Sequence, residues 1–313
     1  MMNEALEQGA RALRKAALNL EAKEYILNNP VIFSVMKKAA NRYIGGETLG
    51  ETIAKVQHQN KQGFACSIEF MGESTLTVQE ATAATQEFVR ITQQIKALGL
   101  RSAVSLDLSH IGLAISQDLC LQNLDTICRE AQAAGSEVMI SAEGVDRTDE
   151  VINTYLRMAS QYANLGLTLQ AYLYRTKDDF KEAVKQPGRI RIVKGAFETP
   201  EGHAMPRGSQ LTDTYLQYVE QLLSQQHKCS IATHHGELQQ AAAALIVQHK
   251  PDKTKYEFES LYGIQDTQLT ALKEQGHPAK VYFVYGKEWY LYVCNRIAEH
   301  PLNIFQALED IVG

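Results

Sequence analysis

The sequence lacks the features that define several large classes of protein. Its five cysteines are an odd, scattered number without a Cys-x-x-Cys pair. Neither a disulfide framework nor a zinc site is indicated, so a reducing, cytoplasmic location is expected. No stretch is long and apolar enough to span a membrane, and residues 1–27 lack the apolar core of a signal peptide. The net charge of −5 and the absence of a run rich in lysine or arginine argue against a nucleic-acid partner.

Motifs that carry common catalytic chemistry are also missing. The sequence contains no Gly-x-Ser-x-Gly segment, no phosphate-binding P-loop and no predicted strand followed by Gly-x-Gly-x-x-Gly. No His, Cys, Asp and Glu residues are grouped with the spacing of a metal site, so no metal is expected. Covalent and metal-dependent mechanisms therefore lose support.

A regular alternation of strand and helix patterns runs through most of the 313 residues. Short apolar or alternating segments, typical of strands, are separated by longer amphipathic segments, typical of helices. The eight predicted strands are residues 64–71, 102–108, 137–142, 167–172, 189–193, 228–233, 255–261 and 280–284. Eight strands that alternate with helices predict parallel pairing, and eight is the number that closes a barrel. The predicted fold is therefore an α/β barrel of the TIM type, with an open doubly wound sheet as the alternative.

The first 60 residues have a different pattern. They are typical of helices, interrupted near Asn29-Pro30 and again near Gly45-Gly46. We predict an N-terminal helical segment over residues 1–60, packed on a barrel that occupies residues 61–313. Within the barrel, helices are predicted at residues 78–98, 119–134, 149–165, 212–226, 237–248 and 266–275.

Polar side chains are concentrated where the predicted strands end. In a barrel the C-terminal ends of the strands meet at one mouth, where active sites of this architecture lie. Ser105, Asp107 and Ser109 alternate, so they are predicted to share the inward-facing side of the second strand. Other polar residues on or after the predicted strands are Glu69, Glu73, Ser141, Glu143, Gln170, Arg189, Arg191, Lys194, Thr233, His234, Glu257 and Glu259. This pattern predicts a large polar ligand site, suited to an anionic organic cofactor, or else an internally satisfied hydrogen-bond network.

A helix predicted over residues 287–299 follows the last strand. Tyr292, Asn295, Arg296 and Glu299 recur on it at intervals of three and four residues, so they share one face. Two interpretations fit this face, a ligand clamp or a solvated surface with an ordinary Arg–Glu pair. Spacing alone favours the solvated surface.

Six segments, in order along the chain, resemble motifs of the proline dehydrogenase family, the flavin-dependent barrels that oxidise L-proline to a cyclic imine. They are residues 68–73 (IEFMGE), 170–175 (QAYLYR), 189–196 (RIRIVKGA), 232–234 (ATH), 258–263 (FESLYG) and the C-terminal segment 281–301. The chain is similar to the monofunctional bacterial members. The resemblance implies a distorted (βα)8 barrel whose last helix lies over the mouth and recognises the substrate.

The resemblance also implies FAD as cofactor and hydride transfer from the carbon beside the ring nitrogen to flavin N5. Residues implied to contact FAD are Gln170, Arg191, Val193, Lys194, Gly195, Ala196, Thr233 and His234. Residues implied to contact the substrate are Tyr282, Tyr292, Arg296 and Glu299, with Ala196 and Leu261 as apolar walls. The family's common electron acceptor is a quinone, which implies transient membrane contact, although no amphipathic docking segment is visible. A further enzyme would process the imine.

Three positions depart from the family pattern. Asn295 stands where the first of two consecutive arginines is usual, Asp107 where a lysine is usual, and Ser141 where an aspartate is usual. Relative to that pattern, the formal charge of the pocket changes by about −2.

Two explanations of these departures stay open. Asp107 compensates for the missing acid as a partner of Arg296 while Asn295 donates one hydrogen bond, and proline remains the substrate. Alternatively, the substrate is a cyclic or secondary amine whose carboxylate is absent or masked, or one that bears an extra cation. Two other classes also remain, a catalytically silent flavoprotein and a barrel aldolase or lyase that uses Lys194 without flavin.

Overall fold

The computed structural model describes residues 19–72 and 74–299, together with Gln8, Ala12 and Lys15. The side chains of residues 20, 22, 27, 295 and 297–299 lie outside this description. Predictions for Glu73, for residues 300–313 and for most of residues 1–18 therefore fall outside the described part of the chain. None of the helices that the structure describes combines the length and the apolar character that a membrane crossing needs.

In the described stretch from residue 19 to residue 72, three helices precede the barrel: α1 (Leu20–Asn28), α2 (Pro30–Ala40) and α3 (Leu49–Lys61). Asn29 separates the first two, because its side chain accepts hydrogen bonds from first-turn N–H groups of α2, where Pro30 needs no partner. Thr48 and Glu51 form the capping box that begins α3. Both predicted interruptions of this segment are confirmed, whereas the domain boundary at residue 60 stays a prediction.

Eight parallel strands close into a barrel in chain order. They are β1 (Ala65–Phe70), β2 (Ser102–Leu106), β3 (Val138–Ile140), β4 (Leu165–Gln170), β5 (Ile190–Val193), β6 (Cys229–Ala232), β7 (Tyr256–Leu261) and β8 (Ala279–Tyr285). Closure is complete because β8 pairs with β1, over residues from Ala65↔Lys280 to Phe70↔Tyr285. All eight predicted strands and the TIM-type barrel are confirmed, and the open sheet is excluded.

Between residues 74 and 299, eight α-helices alternate with or follow these strands. They are α4 (Val78–Leu98), α5 (Gln117–Ala133), α6 (Thr148–Ala159), α7 (Thr176–Ala183), α8 (Ser209–Ser224), α9 (Gly236–His249), α10 (Asp266–Glu274) and α11 (Trp289–Glu299). The helix predicted over residues 149–165 ends six residues early, because Leu165 already begins the fully buried strand β4. The short helix α7 has no counterpart among the predicted helices.

Apolar side chains form two separate clusters. The larger one fills the space between the barrel and its surrounding helices, and includes Ile68, Phe88, Leu106 and Phe258. The smaller one joins α2, the turn before α3, the end of β8 and α11, with Trp289 fully buried in it. The inside of the barrel, by contrast, is lined mainly by polar side chains.

Candidate active site

Two layers of polar side chains fill the inside of the barrel, because alternate residues of each strand point inward. The lower layer, towards the N-terminal ends of the strands, comprises Glu137, Arg189, Lys228, Ser230, Glu257 and Lys280. The upper layer, towards the mouth, comprises Ser67, Glu69, Ser105, Ser141, Thr168, Arg191, Glu259 and Tyr282.

The lower layer is a set of interlocked ion pairs. Arg189 binds Glu137 at 2.8 Å and Glu257 at 3.4 Å, while Lys280 binds Glu257 at 2.6 Å. Burial by itself would raise the pKa of Glu137, but Arg189, Lys280 and Lys228 lower it to about 2. Arg189 and Glu257 were predicted near the mouth, and this placement is wrong: they share the inward face of their strands but lie one layer below.

Arg191 is the centre of the upper layer and is 4% exposed. Its Nε and Nη2 donate to the two oxygens of Glu259 at 2.9 and 3.0 Å, a bidentate geometry. Its Nη1 donates to Ser105 Oγ at 3.2 Å and Thr168 Oγ1 at 3.3 Å. The Tyr282 ring lies against the guanidinium, 4.9 Å from its carbon. Arg191 therefore points into the barrel, whereas its predicted role beside the flavin stays a prediction.

Tyr282 and Ser141 meet at the carboxyl group of Glu69. The Tyr282 hydroxyl donates a hydrogen bond to Glu69 Oε2, and Ser141 Oγ donates to the same oxygen at 2.7 Å. Burial is the main cause that raises the pKa of Tyr282 well above its ordinary value, and the charge of the nearby Glu69 raises it further. Tyr282 therefore remains protonated at physiological pH. Ser141 also lies 3.1 Å from Ser105, so it supplies neutral hydroxyl contacts where the family pattern has an acid.

The second strand ends earlier than predicted. It ends at Leu106, and the following residues form turns in which the Ile111 N–H donates to Leu108 O. Of the three alternating residues, Ser105 points into the barrel, but Ser109 accepts a hydrogen bond from the Ser74 N–H in a loop. The predicted common face is therefore wrong for Ser109. Asp107 is half-buried directly after the strand.

The ends of β4 and β5 bring together most of the residues implied to hold a cofactor. Gln170 is buried and donates from Nε2 to Glu143 O at 3.0 Å. Val193 and Lys194 accept backbone hydrogen bonds from residues 171 and 172, which fixes the edge between the strands. Burial lowers the pKa of Lys194, and the positive charge of Arg207 lowers it further. Ala196 follows in the same loop and is exposed.

Gly195 is required by the geometry of this edge. Its φ of +110° favours glycine, and a Cβ at this position would overlap the Tyr172 ring. The Tyr172 hydroxyl in turn donates to Phe197 O at 3.1 Å, which ties the ring to the loop after β5. The loop thus presents backbone rather than side chain at this point of the mouth.

The ends of β6 and β7 hold Thr233, His234 and Leu261. His234 Nε2 accepts a hydrogen bond from the Leu261 N–H at 2.9 Å, which joins the two strand ends. Thr233 Oγ1 accepts from the His235 N–H at 3.1 Å. All three are half-buried residues at the rim. The structure therefore gathers the predicted cofactor residues at one mouth, although their roles stay predictions.

Helix α11 carries the four residues of the predicted substrate face. The Arg296 guanidinium lies 5.2 Å from the centre of the Tyr292 ring, one turn away. Asn295 and Glu299 belong to the same helix, but their side chains lie outside the described residues, so their predicted contacts stay predictions. The beginning of α11 is buried in the smaller apolar cluster. A wholly solvated helix is therefore excluded.

Sequence reasoning missed several residues that complete the two layers. Ser67, Thr168 and Lys280 were not singled out, although strand alternation places each of them on an inward face. Glu47 was also missed. It accepts a hydrogen bond from the Trp289 indole across 242 positions of sequence, and no local pattern indicates such a pairing.

Comparison with known proteins gives a consistent assignment. Residues 52–291 match the family model described as proline dehydrogenase. The chain is 32% identical over 274 residues to proline dehydrogenase 2 of Bacillus subtilis, which covers 87% of this chain and 90% of that protein. It is 28% identical over 295 residues to the proline dehydrogenase of Deinococcus radiodurans, which covers 93% of this chain and 94% of the relative.

Solved structures agree on the architecture. Proline utilization A from Bdellovibrio bacteriovorus, inactivated by N-propargylglycine, matches 94% of this chain with a TM-score of 0.81 at 17% identity. This chain spans 37% of that larger protein, and at such low identity the match supports the fold alone. The family model and the Bacillus relative together carry the assignment: the chain belongs to the proline dehydrogenase family and is an oxidoreductase of that family.

Proposed function

We propose that this protein oxidises L-proline, or a proline-like cyclic or secondary amine, to the imine, with FAD as the hydride acceptor. The observation that carries the proposal is the upper layer, where Arg191 is immobilised beneath a mouth lined by Gln170, Lys194 and Thr233. The alignments with two relatives named proline dehydrogenase extend over 90% and 94% of the length of those relatives. For L-proline the product is a 1-pyrroline-5-carboxylate.

The residues at the mouth fit an isoalloxazine cofactor. Gln170 and Thr233 offer amide and hydroxyl groups, and Lys194 offers a cation for an anionic group. Gly195 lets the loop that carries Lys194 pack directly against the Tyr172 ring, which fixes the position of that loop at the mouth. Val193, Ala196 and His234 would complete the set that holds it. When bound, FAD supplies the two-electron acceptor for the amine, and the protein supplies orientation and electrostatics.

The chain's own residues prepare the substrate side. Arg191 is a fixed cation that would stabilise negative charge developing on the cofactor. Tyr282 stays protonated and donates to Glu69, so its ring is held in one orientation at the base of the pocket. Arg296 on α11 is the guanidinium assigned to the substrate carboxylate, since a planar fork matches carboxylate geometry.

A second candidate function is the same chemistry on an amine whose carboxylate is absent or masked. Asp107, Ser141 and Asn295 favour it, because they replace two cations and one acid of the family pattern. The neutral contacts of Ser141 with Ser105 and Glu69 do not restore a charge. Each lost charge-assisted contact typically costs about 1.5–3 kcal/mol. Losing two contacts would weaken carboxylate binding by roughly a hundredfold or more.

Electron transfer out of the protein is also part of the proposal. A quinone would accept the electrons during transient contact with a membrane surface, and an imine-processing enzyme would take up the product. Both follow from family resemblance. Flavin reoxidation by a soluble quinone analogue, compared with reoxidation by oxygen, tests the first of them.

An anaerobic screen of the purified protein tests the function. A flavin absorbance spectrum is expected, and L-proline is expected to bleach it; a colourless protein would favour the Lys194 lyase alternative. The panel includes proline amide, proline methyl ester, pyrrolidine and a diamine. Bleaching by no member of the panel would indicate the silent flavoprotein. Equal bleaching by proline and its masked analogues would reject the second candidate.

A double variant separates the two candidates further. Asn295→Arg with Asp107→Lys restores the two cations of the family pattern. If carboxylate recognition has been lost, this variant gains at least about tenfold in kcat/KM for proline, the equivalent of one 1.4 kcal/mol contact. The matched control is Asn153→Arg with Asp213→Lys, which makes the same charge change at exposed positions of α6 and α8. Unchanged or weaker turnover in the first variant would favour unmodified proline as the natural substrate.

A further inference from the structure

Glu259 is the carboxylate to which Arg191 commits two of its three nitrogens. The two donor–acceptor distances are 2.9 and 3.0 Å, and Glu259 is 2% exposed. The pair joins β5 to β7, 68 positions apart in sequence. Two charges buried together with bidentate geometry form a strongly coupled unit, and removing either one leaves the other without compensation.

Neighbouring hydroxyl groups fix both members of the pair. Ser67 donates to Glu259 Oε1 at 2.9 Å, so this oxygen accepts from two directions. The remaining Arg191 nitrogen donates to Ser105 and Thr168. The guanidinium is therefore held in one orientation, and its positive charge is matched by a carboxylate in direct contact.

Ionisation of the pair is maintained despite its burial. Burial by itself would raise the pKa of Glu259, but Arg191 and then Lys280 lower it below the ordinary value. Burial by itself would lower the pKa of Arg191, but Glu259 and further acidic neighbours raise it. Both partners are thus charged at physiological pH, and the pair carries no net charge.

We propose that Glu259 is a positioning residue that holds Arg191 in place and partly offsets its charge, and thereby sets a lower reduction potential for the bound flavin than Arg191 alone would give. This inference rests on the proposed function in one respect, namely that Arg191 faces the cofactor. Two-electron reduction makes the flavin more negative. A nearby uncompensated cation favours the reduced form, and a carboxylate behind that cation opposes this effect.

The isosteric variant Glu259→Gln tests the inference directly, because it removes the negative charge and keeps one acceptor. The equilibrium constant for two-electron reduction is expected to rise at least about tenfold, which corresponds to about 30 mV for a two-electron couple. The measurement is anaerobic reductive titration of the purified holoprotein against a reference dye, without any amine substrate.

Glu257→Gln is the matched control. Glu257 lies on the same strand and inward face, two residues below, and its charge is shared by Arg189 and Lys280 in the lower layer. Its loss is expected to change the equilibrium constant less than twofold. Equal potentials in the Glu259→Gln variant and the wild type, or equal shifts in the two variants, would overturn the inference.

Glu259→Asp keeps the inference testable if Glu259→Gln does not fold. Aspartate retains the charge but withdraws it from the guanidinium by one methylene. A smaller rise, about threefold in the equilibrium constant or about 15 mV, is expected. An unchanged or lowered potential would overturn the inference. Wild-type protein that binds no flavin would overturn the proposed function and this inference with it, whereas flavin-bound variants with unchanged potential would overturn the inference alone.

Discussion

Replacing Glu47 with alanine is expected to loosen the first turn of α11 and to weaken substrate binding. Glu47 lies in the turn between α2 and α3, and its two carboxylate oxygens have different partners. Oε1 accepts from the Trp289 indole at 3.0 Å, and Oε2 accepts from the Lys37 ammonium at 2.5 Å. Because Trp289 is the first residue of α11, these contacts join the N-terminal segment to the helix that carries Arg296.

The structure sets the size of the effect. The indole–carboxylate hydrogen bond involves a fully buried tryptophan, so its loss is expected to cost about 1.5–3 kcal/mol. The Lys37–Glu47 pair is partly exposed and adds about 0.2–1 kcal/mol. If about 1 kcal/mol of the total appears as opening of α11, KM for the substrate rises about fivefold, since 1.4 kcal/mol corresponds to tenfold. We expect kcat to stay within about twofold of the wild type, since 0.4 kcal/mol corresponds to about twofold.

Fluorescence reports on this helix without any substrate, because Trp289 is the one tryptophan in the sequence. Glu47→Ala is expected to shift its emission to longer wavelength and to increase its quenching by acrylamide. Glu288→Ala is the matched control, since Glu288 is adjacent but forms an exposed pair with Lys23. The reasoning is refuted if Glu47→Ala leaves quenching and KM unchanged, or if Glu288→Ala alters both as much.

Three further perturbations follow from single features of the fold. Gly195→Ala should lower flavin retention at least about tenfold, because the new Cβ overlaps the Tyr172 ring. Gly202→Ala is the control and should retain flavin, because Gly202 also has a positive φ but has open space around it. The ratio of flavin absorbance to protein absorbance measures retention in both variants. Thr77→Ala removes the N-cap of α4 and should lower the free energy of unfolding in urea by about 1 kcal/mol, whereas no change would contradict the capping argument. Burial by itself would raise the pKa of Glu137, but neighbouring cations lower it to about 2. The ionised Glu137 therefore stabilises the folded protein above about pH 4.5, and this contribution is lost as the pH falls towards 2. Glu137→Gln should therefore flatten the acid limb of the unfolding free energy, and an unaltered slope would contradict this.

The strands were predictable because their pattern is local. Segments such as Leu165–Gln170 are buried on both faces, as parallel strands covered by helices require, and the number of such segments indicates closure. Strand ends were less predictable, since a turn can begin inside an alternating pattern. Ser105, Asp107 and Ser109 illustrate this: the alternation continues in the sequence, but the chain leaves the sheet after Leu106.

The set of inward-facing residues in the candidate site was predictable from the sequence. The layer in which each residue lies, and the residue with which it pairs, were not. Alternation shows that Arg189 and Arg191 share a face, yet the register of neighbouring strands decides which acid each one meets. Glu259 therefore could not be assigned to Arg191 from sequence. The contact between Glu47 and Trp289 was unpredictable for the same reason, because tertiary packing alone brings the two residues together.

The two ionic layers explain each other's composition. The lower layer contains three cations and two carboxylates, and the upper layer contains one cation, Arg191, with the carboxyl groups of Glu69 and Glu259. The surplus positive charge below therefore offsets the surplus acid above, and Lys280 contributes to this balance because it lowers the pKa of Glu259. The charge of Arg191 is therefore partly balanced from within the barrel, chiefly by Glu259. We expect a ligand at the mouth to be oriented by the fixed guanidinium as well as attracted by its remaining charge.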